Sequence, residues 1–348
     1  MSWYLTPAAQ PNEAVYSAAL AHQLTLTKPP GALGALETVA VRFAAMQGVI
    51  HPSLNKIAIS IFAADHGVAA QGVSAFPQAV TTEMVKNFAN GGAAISVLAR
   101  HLGARFEVVN LGTLFDVPEH EQIVDVAIAQ GTADFSQGPA MTPEQLEEAL
   151  YQGQQAAFRA KHDEAELFIG GEMGIGNTTS ASALAAARLG LPAASLVGPG
   201  TGLASEQLPH KAYVIEQSLE ANPVAEPTSQ LQALGGFEIA GLVGAYIACA
   251  QLRIPVLVDG FISSAAALMA VAINPSIKPW LLYSHESAEP GHQTILAELD
   301  ADPLLNIGMR LGEGSGAAVV VTLMQQALAL HNEMATFEQA QVSEKTES

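Results

Sequence analysis

The chain has 348 residues, 49% of them hydrophobic and 14% charged, and a formal net charge of −19. This composition excludes a disordered chain, and no basic stripe exists to neutralise the phosphates of a nucleic acid. A small phosphorylated ligand stays open, because backbone N–H groups and one or two cations can hold a single phosphate.

The length suits one large or two ordinary domains. The first residues, MSWYLTPAAQPNEAVYS, lack a basic segment followed by an apolar one, so no signal peptide is expected. Residues 13–47 read as helix, a KPPGALG break, then helix. Strands are expected over 56–64, 106–111, 124–129, 166–170, 255–259 and 280–284, as short apolar, β-branched runs. Most are apolar on both faces, as a parallel sheet covered by helices requires. Helical patterns fill the gaps at 77–102, 143–161, 179–189, 205–221, 233–251 and 263–272. This alternation predicts a doubly wound α/β sheet over 48–312. Residues 1–47 and 313–338, with one long helix over 314–337, contain no strand, so both termini are expected to form a small helical domain. The polar residues 339–348 read as a tail. The most apolar stretch, 240–252, is too short to span a membrane. The single Cys249 reads as a buried thiol. A soluble cytoplasmic protein fits these features.

In an open parallel sheet, ligands bind beyond the carboxyl ends of the strands. Polar residues and glycines crowd those positions here: Asp65-His66-Gly67, Asn110-Leu111-Gly112, Gly171-Glu172-Met173-Gly174, Asp259-Gly260 and Ser284-His285-Glu286-Ser287. The stretch GGEMGIGNTTSASALAAARLG reads as strand, glycine loop and helix. Asn177 or Thr178 could cap that helix, and its first-turn N–H groups suit a phosphate. A second glycine loop, Gly198 to Gly202, is either a turn or a further phosphate contact. Lys211 is either a solvated helix lysine or a point charge for the phosphate. Glu172 and Glu313 both stand among glycines. Burial would raise their pKa toward the range useful for proton transfer, whereas a nearby helix start would lower that of Glu313. Glu313 could equally be an ordinary helix-start acid. Asp65-His66 reads as a hydrogen-bonded turn rather than a metal pair. Neither glycine loop has the P-loop pattern, and the first βα unit lacks a dinucleotide fingerprint. No CxxC, HExxH or nucleophile elbow is present.

Seven segments carry a family resemblance: KPPGALGALE (28–37), ADHGV with GVSAFPQAVT (64–81), NFANGGAAISVLAR (87–100), GEMGIGNTTSASAL (171–184), VDGFISSAAAL (258–268), SHESAE (284–289) and RLGEGSGAA (310–318). Together they make the chain resemble the nicotinate-nucleotide–dimethylbenzimidazole phosphoribosyltransferases. The resemblance implies a Rossmann-like α/β domain beside a smaller helical one, a homodimer, and no metal or other cofactor. It implies transfer of phosphoribose from nicotinate mononucleotide to 5,6-dimethylbenzimidazole with inversion at C1′, giving α-ribazole 5′-phosphate for the cobalamin nucleotide loop. It assigns Glu313 as general base. It places Glu172, Gly174, Gly176, Asn177, Gly200, Lys211 and Ser287 at the nucleotide, and Phe76, Met84 and Leu311 in the base pocket. Some family members have serine and glutamine where Phe76 and Met84 align, so the base preference stays open between benzimidazoles and phenols. A dehydrogenase is the competing enzyme reading, and a non-catalytic nucleotide sensor the competing binding one.

Overall fold

Ile57–Ala64 (β1) is buried at all eight positions, which is why it reads apolar on both faces. The other strands are β2 (Arg105–Gly112), β3 (Ile123–Asp125), β4 (Leu167–Met173), β5 (Val256–Val258) and β6 (Leu281–Tyr283). In this computed structural model, which describes residues 2–200 and 202–343, they form one sheet in the order β3-β2-β1-β4-β5-β6. Every pairing is parallel. The doubly wound α/β class holds. This order reverses direction between β1 and β4, and a ligand crevice opens at such a switch point.

The helices are α1 (Glu13–Thr25), α2 (Ala35–Gln47), α3 (Ala79–Ala89), α4 (Ala94–Leu102), α5 (Pro143–His162), α6 (Asn177–Leu189), α7 (Leu208–Ala221), α8 (Pro227–Leu234), α9 (Phe237–Gln251), α10 (Phe261–Ile273), α11 (Gly291–Leu299), α12 (Ser315–Glu333) and α13 (Phe337–Ala340). Three runs expected as single helices are broken. Gly91 and Gly92 separate α3 from α4, Gly235 and Gly236 separate α8 from α9, and Met334 to Thr336 separate α12 from α13. Gly91 at φ +77° takes a left-handed conformation that other residues reach at a cost. The expected strand 124–129 shortens to β3, although the Val126 and Ile128 N–H groups still bond Asn110 and Leu111 of β2. Within the expected tail, Gln339 and Ala340 belong to α13, and residues 344–348 lie outside the described residues.

Residues Phe237 to Ala250 of α9 are all buried, which explains their unbroken hydrophobicity and places Cys249 in the core. Among the described residues, no helix is long and apolar enough to cross a membrane. On one side α9 packs on β1 and β4; on another it lies against α5. The α5–α9 crossing depends on glycines facing carbonyls. A Cβ on Gly153 would strike the Gly241 carbonyl, and one on Gly244 the Leu150 carbonyl. At the helical end, α1 packs on α2, and α12 packs on α2 and α4. The KPPGALG break is clamped by Lys28, whose Nζ lies 2.9 Å from Glu37. Glu37 also accepts the Leu33 and Gly31 N–H groups at 2.9 and 3.3 Å.

Backbone atoms cannot yield to an added methyl at the α5–α9 crossing. Gly244→Ala is therefore expected to lower unfolding stability by about 1–3 kcal/mol, read as a reduced urea midpoint. An unchanged midpoint would mean that this crossing is loose.

Candidate functional site

Past the strand ends, on the β1/β4/β5/β6 side, a cleft of about 450 Å³ opens. That is within the usual range of small-molecule sites. Its walls include Phe76 and Met84 beyond β1, Glu172 to Thr178 along β4 and into α6, Asp259 beyond β5, His285, Ser287 and Glu289 beyond β6, and Arg310 to Glu313 before α12.

Four of the expected nucleotide residues, Glu172, Gly174, Gly176 and Asn177, line this cleft together with Gly200 and Ser287. Glu172, however, lies on β4 itself and not in the loop after it. The strand runs through Met173 because its backbone stays paired with β1, Glu172 facing Phe62 in register. The expected side-chain cap on α6 is also absent. Gly176, at φ +102°, is the N-cap residue and has no side chain to offer. Asn177 instead donates from its amide to the Glu172 carboxylate. Lys211 is not a solvated helix lysine. It is 1% exposed and sits behind the wall, donating to Thr178 Oγ1 at 2.8 Å and the Gly198 carbonyl at 3.3 Å. Burial lowers its pKa to about 8, with Glu289 opposing.

Phe76, Met84 and Leu311 share the cleft. Phe76 and Leu311 are 48% and 55% exposed, an apolar surface fit for a flat ring at the mouth.

Glu313 reaches the same place although it is distant along the chain. Gly171 has no side chain, and a Cβ there would strike the Glu313 carbonyl, so the Glu313 backbone lies directly on β4. The Glu313 N–H points to Glu172 Oε1 at 3.4 Å. Gly312, Glu313 and Gly314 have φ of +84°, +65° and +76°, three left-handed residues in a row. For glutamate this conformation costs about 1 kcal/mol, so something must hold it. Asp259 does. Its Oδ2 accepts the Gly314 N–H at 3.2 Å, and its Oδ1 accepts the Ala317 N–H at 2.8 Å. Gly316 allows His285 in beside them, Nε2 lying 3.6 Å from Asp259 Oδ1.

Burial first, then the Asp259 charge, raises the Glu313 pKa to about 7, while the Ile95 N–H at the start of α4 pulls it down. Burial therefore outweighs the donor at the start of α4. Burial, with the charges of Glu238 and Asp259, also holds Glu172 well above the usual carboxylate range. Burial works against a charged His285, but Asp259 outweighs it and raises that pKa. The Asp65-His66 turn is hydrogen-bonded as expected. Thr81 donates to Asp65 at 2.7 Å, and His66 Nε2 lies 2.6 Å from Glu238.

The full length of the chain has relatives. A family model described as a phosphoribosyltransferase matches residues 8–342. A nicotinate-nucleotide–dimethylbenzimidazole phosphoribosyltransferase of Pseudomonas fluorescens is 54% identical, with 99% of each chain covered. One of Xanthomonas oryzae pv. oryzae is 55% identical over 98% of this chain and 99% of its own. The chain belongs to the nicotinate-nucleotide–dimethylbenzimidazole phosphoribosyltransferase family. A crystal structure of CobT from Thermus thermophilus superposes with a TM-score of 0.92 at 42% identity, covering 95% of this chain and 100% of that one. The protein is thus a phosphoribosyltransferase enzyme, and the dehydrogenase and sensor readings fall away.

Two cleft residues escaped the sequence reading as site candidates. Asp259 was visible only as a polar strand end. Arg310, the one lysine or arginine among the described cleft residues, reaches the Gly200 carbonyl at 3.3 Å. It could have been found as a scarce cation next to the glycine-flanked Glu313.

A base whose pKa is about 7 must be ionised to act, so kcat/KM should rise with pH through that value. Asp259→Asn removes a negative neighbour. The rising limb should shift to lower pH, by roughly one unit or less, and kcat should fall because the turn loses one of its acceptors. A limb that stays in place, measured across pH 5–9, would separate Asp259 from Glu313.

Proposed function

We propose that the protein transfers the phosphoribosyl group of nicotinate mononucleotide to 5,6-dimethylbenzimidazole or a close benzimidazole, yielding the α-ribazole 5′-phosphate that enters the cobalamin nucleotide loop. The observation that carries this reading is the buried Glu313 carboxyl, with a pKa of about 7, in the cleft that the apolar Phe76, Met84 and Leu311 also line.

The lone-pair nitrogen of the neutral benzimidazole attacks C1′. The bond from C1′ to the pyridinium nitrogen breaks, and its electrons return to the ring, which leaves as nicotinate. The other benzimidazole nitrogen gives its proton to the Glu313 carboxylate, so no cation builds up on the product. Attack from the face opposite the leaving ring inverts C1′ from β to α. The pyridinium is a good leaving group, so the cleft mainly orients its two substrates.

On the nucleotide side, the Thr178 N–H at the start of α6 and the Gly200 loop suit the 5′-phosphate, the N–H groups of Asn177 and Thr179 being bonded to Gly174 and Gly176. Arg310 supplies charge to it, and Lys211 supports Thr178 from behind. Glu172 and Ser287 face the ribose, with Gly174, Gly176 and Asn177 forming the loop around it. No metal or cofactor enters the scheme. The family resemblance supports a cytoplasmic homodimer. The packing of α12 on α2 supports a helical domain of residues 1–47 and 313–338 beside the α/β body 48–312.

Incubation with nicotinate mononucleotide and dimethylbenzimidazole should release nicotinate and form α-ribazole phosphate in equal amounts. No product with any benzimidazole or phenol would refute the reading. Glu313→Gln should lower kcat by about 10²–10⁴-fold and leave nicotinate mononucleotide binding nearly unchanged. Undiminished turnover would remove Glu313 from its role.

A further inference from the structure

Outside the cleft, three histidines converge at the helical end. They are His22 in the last turn of α1, His51 between α2 and β1, and His331 in the last turn of α12. One ring nitrogen from each lies within 4.8 Å of those of the other two. The His22 ring centre is 4.9 Å from that of His331 and 5.2 Å from that of His51. None of the three lines the cleft.

The hydrogen bonds settle which ring nitrogens carry the proton, and the Nδ1 of His331 already accepts from Gln23. A carbonyl can only accept, so each ring facing one must donate to it. His22 Nε2–H therefore donates to the His331 carbonyl at 2.8 Å, and His331 Nε2–H donates to the Ile50 carbonyl at 2.9 Å. Both rings are left with a lone pair on Nδ1. Metal-ligating histidines are commonly oriented in this way, one nitrogen anchored to a backbone carbonyl and the other free to coordinate. His51 is exposed.

Gln23 gives a second, independent pointer. It is 3% exposed, and its amide N–H meets His331 Nδ1 at 2.7 Å. Its Oε1 is buried with no partner. An unpaired buried carbonyl oxygen is costly. A cation on His331 Nδ1 would displace that N–H, and a turned amide would then offer Oε1 to the ion. The cation nearest by charge, Lys28, is paired with Glu37 at 2.9 Å, which limits its repulsion.

We propose that His22, His51 and His331 form a structural site for a divalent transition-metal ion of the zinc type, with the Gln23 carbonyl oxygen or a water as fourth neighbour. Imidazole nitrogens suit zinc, nickel and copper far better than magnesium or calcium. Three histidines with a fourth open position satisfy tetrahedral zinc. The ion would tie the end of α1, the α2–β1 connection and the end of α12 into one cluster. It would take no part in the cleft chemistry.

The test uses the full chain without an affinity tag, stripped of metal by chelator and dialysed against Zn²⁺ with metal content measured by mass spectrometry. One equivalent should bind saturably, and the melting temperature should rise with bound zinc. Co²⁺ in its place should give the intense visible absorption of a tetrahedral site. His51→Ala, an exposed change that leaves the fold and turnover intact, should weaken binding by at least about tenfold and abolish the thermal shift. His22→Ala should do the same. No saturable binding, or binding weakened less than that in both variants, overturns the proposal.

Discussion

The site depends on one buried carboxylate. Asp259, at the end of β5, accepts two backbone N–H groups from the segment that opens α12. Those bonds offset the cost of a left-handed glutamate between two left-handed glycines. The turn can lie on β4 only because Gly171 carries no side chain, and it faces Glu172 only because Gly312 carries none. Remove Asp259, and the backbone that presents Glu313 loses its anchor and its electrostatic neighbour together.

That arrangement explains how an acidic protein can place several carboxyl groups in one cleft. Glu172, Asp259 and Glu313 share a low-dielectric wall, where full ionisation of all three would be mutually repulsive. Asp259 is satisfied by N–H donors, while Glu172 and Glu313 hold their protons more tightly than ordinary carboxyl groups. A base with a pKa of about 7 can accept a proton from a weakly acidic ring nitrogen and release it to water afterwards. On the proposed reading, the start of α6 and Arg310 offer the positive character an anionic nucleotide needs.

Much of this was legible in the sequence because the strands are buried on both faces. Unbroken apolar runs such as IAISIFAA have few other readings, and the strand ends then mark the rim. The strand through Glu172 was harder to see. Gly171 and Glu172 read as loop, yet pairing with β1 keeps them in the sheet. The glycine pairs that split α3 from α4 and α8 from α9 were hidden inside longer apolar periodicities. The roles of Asp259 and Lys211 could not be read locally at all. Each acts on residues far away in the chain, Gly314 and Thr178, and only the fold brings them together.

In the proposed mechanism Glu313 faces the ring nitrogen that loses a proton, and Glu172 faces the nucleotide. A crystal structure of the Glu313→Gln variant with nicotinate mononucleotide and a benzimidazole bound together would test it most directly. The ring should lie between Phe76, Met84 and Leu311, with its N–H within about 2.6–3.2 Å of the residue 313 side chain and its other nitrogen toward C1′. A ring whose N–H meets Glu172 instead, or one bound away from Phe76, Met84 and Leu311, would contradict this mechanism.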